Sequence, residues 1–320
     1  MAKIACAGNA LLDINAFVRA EYVQRCGFAP GSTNHVDHAS LMALLPDLAD
    51  AFRTAGGGAA NTARVLSALG QVSVFAGSIG DDAAADFYQA NLSAAGVTAF
   101  LQRQAGLTGV FCALIDEQGQ RTIVVCPGIA SGLQVNRLPA AFFEGASVLH
   151  VDGFLAARPD TLLALIQTAH GRGLRISFDV GGRRVTEQNR DLFAALIRDY
   201  CTWVFMNEDE FQALAGGPVD TTLPAFAASM RASIIVKRGQ AGAVCLRGGE
   251  VIESPVRAIK PLDATGAGDA FAAGFLHAIL ETYPLARAMR FANRVAEHAI
   301  QVPGMRIDPA LLHTLPGLLL

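Results

Sequence analysis

The sequence predicts an α/β fold in which a mostly parallel sheet is covered by helices on both faces. Short apolar runs alternate with longer segments of helical periodicity along most of the chain. The 320 residues are 52% hydrophobic and 17% charged, which is enough apolar material for a large core and too much for disorder. We find no internal repeat and no linker-like stretch. These observations favour a helix-covered parallel sheet.

Each predicted strand is a short, nearly continuous apolar run, as expected where both faces of a parallel sheet are buried. The predicted strands cover residues 4–7, 72–76, 147–151, 175–178, 203–206 and 234–236. Each predicted helix is longer and repeats its apolar residues every three or four positions. The predicted helices cover residues 59–69, 83–95, 159–172, 190–200, 222–231 and 270–280.

Two segments, residues 15–34 and 97–126, interrupt this alternation. The second contains strand-like runs at 110–115 and 121–126, joined by the turn Asp116-Glu-Gln-Gly119. A hairpin inserted into a series of strands and helices usually projects from the main sheet. We therefore expect these two segments to form a lid over the functional site.

Charge and cysteine content exclude several classes of protein. The formal net charge is −3, from 25 basic and 28 acidic residues without a basic cluster, which argues against a nucleic-acid partner. Six cysteines are scattered without a Cys-x-x-Cys pair, so we expect neither a disulfide framework nor a zinc site, and a cytoplasmic location fits. The apolar N-terminal run is interrupted by Asp13, and no uncharged run approaches about 18 residues, so no membrane span is expected.

The most informative motif is Asp263-Ala-Thr-Gly-Ala-Gly-Asp269, which leads directly into an apolar helical run. A glycine turn at a helix start leaves backbone N–H groups free to hold an anion such as a phosphate. A carboxylate there would repel a ground-state phosphate. We therefore interpret Asp269 as a base that takes a proton from an attacking hydroxyl group.

An alternative interpretation of this motif is purely structural, because an acid that follows a glycine turn is a common helix N-cap. The motif also lacks the Gly-x-x-x-x-Gly-Lys-Ser/Thr pattern of a P-loop and lies near the C-terminus. A Walker-type enzyme is therefore not expected.

A second cluster, Gly56-Gly-Gly58-Ala-Ala-Asn61-Thr-Ala-Arg64, contains three glycines that allow close approach of a ligand to the backbone, and Asn61 can both donate to and accept from a hydroxyl group. Asp13 follows the first predicted strand, where α/β sheets bind their ligands, and could accept from two neighbouring sugar hydroxyls. A solvated asparagine and a turn-capping aspartate are the structural interpretations of these two residues.

Two further segments follow predicted strands. Asn207-Glu-Asp-Glu210 opens a helix, where acidic residues are favoured by the helix dipole, but the same oxygens suit a magnesium ion with bound waters. Lys237-Arg-Gly239-Gln-Ala-Gly242 is a glycine-spaced turn that could pass beneath a nucleotide.

Taken together, these motifs resemble the ribokinase family of carbohydrate kinases, also called the PfkB family. The resemblance rests on four patterns in register, and it spans nearly the whole chain. They are Gly57-Gly58-x-x-Asn61, Asn207-x-x-Glu210, Gly239-x-x-Gly242 and Asp263-x-Thr-Gly-Ala-Gly-Asp269. The segments around Asp13 and Asn207 look like the adenosine-kinase branch.

The resemblance implies a single domain over residues 1–320 with a ribokinase-like three-layer α/β/α sandwich, a mostly parallel central sheet and a small β-strand lid. It implies ATP-dependent phosphoryl transfer to a hydroxymethyl group, with Asp269 as the base. The backbone anion hole would then be formed by Gly266, Ala267 and Gly268.

The resemblance also assigns cofactor and substrate contacts. Asn207 and Glu210 would organise Mg²⁺ through water, and the acceptor would be held by Asp13, Gly57 and Asn61. The nucleotide would contact Lys237, Gly239, Gly242 and Asn293. A monovalent cation such as K⁺ would bind Asp263 and the carbonyl of Thr265, as in many members.

The partner implied is a small sugar or nucleoside, and the resemblance suggests a homodimer formed through the lid. Members that act on phosphosugars commonly carry a lysine where this chain has Gly58, so we expect an unphosphorylated acceptor. A phosphosugar kinase and a catalytically silent sugar or nucleotide sensor are the competing hypotheses on the same fold. A dinucleotide-dependent dehydrogenase would need Gly-x-Gly-x-x-Gly after the first strand, and the sequence lacks it there.

Overall fold

The computed structural model describes residues 2–48, 50–257 and 259–305. Its strands, in chain order, are β1 (Lys3–Ala7), β2 (Leu11–Phe17), β3 (Thr33–His35), β4 (Phe52–Gly56), β5 (Val72–Ile79), β6 (Thr98–Arg103), β7 (Gly109–Ile115), β8 (Arg121–Cys126), β9 (Ala146–Asp152), β10 (Arg175–Asp179), β11 (Cys201–Asn207), β12 (Ser233–Lys237), β13 (Ala243–Arg247) and β14 (Glu250–Ser254).

The helices, in chain order, are α1 (Ala20–Arg25), α2 (His38–Leu44), α3 (Gly58–Ala68), α4 (Ala83–Ala94), α5 (Ala140–Phe143), α6 (Pro159–Gly171), α7 (Arg183–Gln188), α8 (Arg190–Asp199), α9 (Glu208–Ala215), α10 (Val219–Ala228), α11 (Ala267–Leu280) and α12 (Leu285–Ala299).

The central sheet has nine strands in the order β14-β13-β12-β11-β10-β9-β1-β5-β6. Neighbours from β12 to β6 pair in parallel, and β13 and β14 add an antiparallel edge. Helices cover both faces. Phe205 belongs to a core cluster that includes residues of α3, α4, α11 and α12, whereas its neighbours Val204 and Met206 belong to a cluster on the opposite face that includes residues of α6, α8, α9 and α10. The predicted three-layer α/β/α fold with a mostly parallel sheet is confirmed.

A second sheet of five strands, in the order β3-β8-β7-β2-β4, stands apart from the central one. Leu12 and Ile14 of β2 pack with Val23 of α1 and Leu41 of α2 on the outer face of this sheet. Because side chains alternate along a strand, Asp13 lies on the opposite face. The second sheet therefore places Asp13 on the side not covered by α1 and α2.

The six predicted strands of the central sheet are all present, each longer by one to three residues. The two segments expected to form a lid, residues 15–34 and 97–126, do not coincide with the second sheet. Residues 98–103 pair with β5 in the central sheet, and residues 52–56, which we did not predict as a strand, join the second sheet. The predicted helix 222–231 is Val219–Ala228, because it begins directly after Pro218 and tolerates Pro224 within it. Within the described residues, no helix is long and apolar enough to span a membrane.

Candidate active site

Polar side chains end four neighbouring strands of the central sheet, at the same edge. They are Asp152 of β9, Asp179 of β10, Asn207 of β11 and Lys237 of β12. Asp152 and Asp179 are register partners, as are Asn207 and Lys237. The carboxyl edge of a parallel sheet is where α/β proteins bind their ligands. Charged and amide groups therefore meet where a ligand is expected.

Asp269 lies in the first turn of α11, above this edge. The cap of α11 is Gly266, and Asp269 is the third helical residue, so the alternative interpretation of Asp269 as the N-cap is wrong. Its Oδ2 accepts a hydrogen bond of 3.0 Å from Nδ2 of Asn61, and its backbone oxygen accepts from Thr62. Asn61 thus orients the Asp269 carboxylate from the neighbouring helix α3.

The surroundings of Asp269 make it more basic than an ordinary aspartate. Burial, and then the nearby Asp179 carboxylate, raise the pKa of Asp269 to about 8, although Asn61 and Lys237 act in the opposite direction. A base acts best when its pKa lies near the working pH. The environment therefore suits Asp269 to accept a proton.

The predicted anion hole begins at Gly266, whose φ of +70° is a left-handed conformation that favours glycine. The N–H of Ala267 makes a long bond of 3.4 Å to the oxygen of Ala264, as expected for a helix start that keeps weakly satisfied donors. Gly268 faces Lys237, because a Cβ at Gly268 would lie 2.8 Å from Nζ. The N–H groups of Gly266, Ala267 and Gly268 therefore lie at a helix start that the Lys237 ammonium also faces.

Glycines bring the backbone of the second cluster against three carboxylates. A Cβ at Gly58 would lie 3.4 Å from Oδ1 of Asp269 and 3.5 Å from Oδ2 of Asp152. A Cβ at Gly56 would overlap the carboxylate of Asp13. The glycine cluster therefore contacts Asp13 at Gly56, and it lies beside Asp152 and Asp269 at Gly58.

Asp13 and Asp152 are both nearly inaccessible to solvent. Burial raises the pKa of Asp13 to about 7, against the opposing charges of Arg64 and Arg121. Burial likewise raises the pKa of Asp152 to about 7. Asp152 is fixed by hydrogen bonds of 3.1 Å from the N–H groups of Ala59 and Phe154.

Asn207 and Glu210 have the structural role that acidic and amide residues commonly have at a helix start. They form a capping box at α9. Glu210 accepts from N and Nδ2 of Asn207 at 2.7 and 2.8 Å. A carboxylate has about four acceptor positions, so Glu210 can still accept from a metal-bound water. The described residues contain no cluster of three or more His, Cys, Asp or Glu side chains that could hold a metal directly. The role of Asn207 and Glu210 in holding Mg²⁺ through water stays a prediction.

The predicted nucleotide contacts come together around one cavity between the antiparallel edge of the central sheet and helices α11 and α12. Lys237, Gly239, Gly242 and Asn293 line it, together with Phe271. Nδ2 of Asn293 donates to the oxygen and Oγ of Ser254, so it also braces the cavity wall. The lining is mainly apolar and suits a planar base.

Asp263 already has hydrogen-bond partners for both carboxylate oxygens. Oδ1 accepts from N and Oγ1 of Thr265, and Oδ2 accepts from the N–H of Gly304. Nη1 of Arg121, from the second sheet, lies 3.8 Å from Oδ1. Burial opposes the negative charge, but these donors lower the pKa of Asp263. The role of Asp263 and Thr265 in binding K⁺ stays a prediction.

Sequence reasoning missed Asp152 and Asp179. The signal was available, because Asp152 and Asp179 each directly follow a predicted strand, where α/β sheets bind their ligands. Arg64 ends the second glycine cluster, but the sequence assigned it no role. Its guanidinium, on α3, donates to the backbone oxygens of Ala55 and Met305.

Comparisons with known proteins agree with this geometry. The sequence profile described as pfkB family carbohydrate kinase matches residues 45–311. Adenosine kinase of Saccharomyces cerevisiae is 28% identical over 329 aligned positions, covering 95% of this chain and 96% of that protein. ATP-dependent ribose-1-phosphate kinase of Halopiger xanaduensis is 29% identical over 259 positions, covering 80% of this chain and 84% of that protein.

Solved structures show the same fold. A probable sugar kinase from Rhizobium etli superimposes with a TM-score of 0.89 at 24% identity, covering 99% of both chains. Adenosine kinase from Sinorhizobium meliloti superimposes with a TM-score of 0.87, also at 24% identity, covering 97% of this chain and 98% of that one. The chain belongs to the PfkB family of carbohydrate kinases, and it is an ATP-dependent kinase of the sugar and nucleoside class.

Proposed function

We propose that this kinase transfers the γ-phosphoryl group of ATP to a hydroxymethyl group of an unphosphorylated sugar or nucleoside. The observation that carries the proposal is the position of Asp269. It follows Gly268, which lines the nucleotide cavity, it lies beside Asp152 across Gly58, and Asn61 holds it in place. A base in that position can reach a hydroxyl group while a phosphoryl group lies over the helix start.

In this mechanism Asp269 takes the proton of the acceptor hydroxyl as its oxygen attacks the γ-phosphorus. The N–H groups of Gly266, Ala267 and Gly268 stabilise the negative charge on the transferring group. Asp13, Gly57 and Asn61 hold the acceptor, while Lys237, Gly239, Gly242 and Asn293 hold the nucleotide. Positioning and charge stabilisation supply most of the acceleration in phosphoryl transfer.

Asn207 and Glu210 would hold Mg²⁺ through its waters, and the ion would neutralise charge on the nucleotide phosphates. We also propose that the second sheet acts as a lid that excludes water and so suppresses ATP hydrolysis. We further propose that the protein forms a homodimer through this sheet. A cytoplasmic location is also proposed, and the six unpaired cysteines fit it.

An unphosphorylated acceptor is favoured by the charges around the acceptor space. Asp13, Asp152 and Asp269 surround it, and Gly58 lies between Asp152 and Asp269 where phosphosugar kinases commonly carry lysine. Carboxylates accept hydrogen bonds from hydroxyl groups but repel a phosphate. A neutral, hydroxyl-rich acceptor therefore fits these three side chains best.

A phosphorylated acceptor is the second candidate, and one observation favours it. The positive charges of Arg64 and Arg121 both favour the ionised form of Asp13. Within the described residues, the Nε atom of each arginine is buried without a hydrogen-bond partner. Guanidinium groups with free donors bind phosphate well. The name of the Halopiger relative, a ribose-1-phosphate kinase, makes this candidate worth testing.

Substrate preference tests the two candidates. We expect unphosphorylated pentoses, hexoses, ketoses, deoxy-sugar acids or nucleosides to be phosphorylated with a higher kcat/KM than sugar phosphates. The measurement is ATP consumption across a panel that includes each sugar with its phosphate. The variant Asp269→Asn, purified in parallel, controls for contaminating kinases. A sugar phosphate with the highest kcat/KM would replace the first candidate by the second.

The reaction should also depend on pH. Asp269 works as a base only when deprotonated, and its pKa is raised to about 8, so activity should increase from pH 6, reach half its maximum near pH 8 and level off above about pH 9. The measurement is kcat/KM for the acceptor at saturating ATP and Mg²⁺ between pH 6 and 9.5. A rate that stays constant across this range would contradict the role of Asp269 as a general base.

A further inference from the structure

The roles assigned so far use Lys237 as a nucleotide contact but do not explain its ion pair with Asp179. The two residues end strands β10 and β12, which lie on either side of β11. Nζ of Lys237 lies 2.8 Å from Oδ2 of Asp179, and both side chains are largely buried. The N–H of Gly181 donates to Oδ1 of Asp179 at 3.0 Å, so the carboxylate is held from both sides.

The ammonium lies at the junction between the nucleotide cavity and the helix start that carries Asp269. Lys237 and Gly268 both line the nucleotide cavity. A side chain at Gly268 would meet Nζ at 2.8 Å, so only glycine leaves this space to the ammonium. A phosphoryl group that moves from the cavity towards Asp269 must therefore pass Lys237.

The ammonium also has donors to spare. A lysine ammonium has three N–H groups, and within the residues that the structure describes Nζ donates to Asp179 alone. Burying a charged pair costs several kcal/mol per ion before any gain, and apolar residues of similar volume are often at least as stabilising. Stability alone therefore does not explain this pair, and two donors remain for another anion.

On the basis of the proposed phosphoryl transfer, we propose that Lys237 is a catalytic residue that binds the transferring phosphoryl group, and that Asp179 is a positioning residue that holds the Lys237 ammonium over Gly268. As the acceptor oxygen bonds to the γ-phosphorus, the bond from that phosphorus to the bridging oxygen breaks. The electron pair stays with the β-phosphate of ADP, and the acceptor proton goes to Asp269. Lys237 keeps its three protons and pairs with the equatorial oxygens.

The same arrangement explains how Asp269 can share a site with phosphate. The carboxylates of Asp179, Glu210 and Asp269 all attract the Lys237 ammonium and raise its pKa. Burial would lower the pKa of Lys237, but Asp179 and Glu210 outweigh it and raise the pKa, so the ammonium remains charged. A fixed positive charge there offsets the repulsion between the carboxylates and an incoming phosphoryl group.

Two substitutions of Lys237 test the catalytic role. Lys237→Met removes the charge, and Lys237→Gln removes it while keeping a donor for Asp179, so at least one variant is expected to fold. We expect kcat to fall about 10²–10³-fold in both, as for the loss of one anion-hole donor, with the dissociation constant of MgATP changed less than kcat. Methylammonium should raise kcat of Lys237→Met and leave that of the wild type unchanged.

The matched control is Arg247→Met, which removes a positive charge from the far end of β13, the strand next to β12. The Arg247 side chain is exposed and does not line the nucleotide cavity. We expect it to keep kcat within about threefold of the wild type, as a surface substitution does. A wild-type kcat in both Lys237 variants, with only weaker MgATP binding, would overturn the catalytic role.

A double-mutant cycle tests whether Asp179 acts through Lys237. We expect Asp179→Asn to lower kcat in the wild-type background and to have no further effect when Lys237→Met is already present. Equal losses in the two backgrounds would show that Asp179 acts independently of Lys237 and would overturn its positioning role. Failure of the proposed function is distinguishable, because the wild type would then phosphorylate no member of the acceptor panel.

Discussion

Replacing Asp269 by asparagine is expected to lower turnover about 10²–10⁴-fold while the protein still binds MgATP, as is typical for the loss of a general base. Asparagine has nearly the same shape, and its amide oxygen can still accept from Nδ2 of Asn61, which now donates to Oδ2 of Asp269. The amide cannot take the proton of the acceptor hydroxyl. The measurement is kcat at saturating acceptor and ATP, with nucleotide binding measured by calorimetry.

The control for Asp269→Asn is Asp160→Asn, which makes the same chemical change in the first turn of α6. Asp160 is exposed, and it neither lines the nucleotide cavity nor hydrogen-bonds to Asp269. It should keep the wild-type rate. If Asp269→Asn also turns over at a near-wild-type rate, Asp269 is not the base, and the proposed mechanism must be abandoned.

The central sheet was predictable because burial on both faces leaves a clear signal. Residues 72–76 and 203–206 are apolar at nearly every position, and both lie in central strands. The second sheet is covered by helices on one face only, so its strands mix polar and apolar residues. In β2, Asp13 and Asn15 alternate with Leu12 and Ile14, and the sequence around them did not mark a strand start at Leu11.

The candidate site was predictable where one motif holds several functional groups, and less so where groups meet only through the fold. The glycine turn before Asp269 and the run that contains Asn61 are recognisable within a few residues. The contact between Lys237 and Asp179 joins positions 58 residues apart. It depends on the order of β10, β11 and β12, which the sequence alone does not fix.

The path of the chain around Gly57 also lies beyond what the sequence could show, since a run of three glycines does not reveal which one is indispensable. Gly57 has φ of +96° and caps α3. A Cβ at this position would overlap the backbone oxygen of Asn9. A side chain is therefore excluded twice, by the backbone conformation and by the close approach of the two segments.

Gly57→Ala is accordingly expected to damage both stability and activity. A non-glycine residue in a sparsely populated conformation costs about 1–3 kcal/mol, and the shift forced by the overlap typically costs another 1–3 kcal/mol. That shift would move the start of α3, which carries Asn61 and the N–H of Ala59 that binds Asp152. A displacement of about 1 Å can lower activity about 10²-fold. The measurements are the free energy of unfolding by denaturant and kcat/KM for the acceptor.

Gly145→Ala is the matched control, because it separates the two causes. Gly145 also has a positive φ, of +71°, but a Cβ there would meet nothing within 4 Å. Gly145→Ala should therefore lower the free energy of unfolding only by the cost of the unfavourable backbone conformation. It should keep the wild-type kcat/KM, because Gly145 lies in the turn before β9, at the opposite end of that strand from Asp152. Equal losses of kcat/KM in Gly57→Ala and Gly145→Ala would mean that the approach of Gly57 to Asn9 does not position the acceptor site. A loss of kcat/KM confined to Gly57→Ala would show that the close approach of Gly57 to Asn9 holds Asn61 and Asp152 in position beside the acceptor.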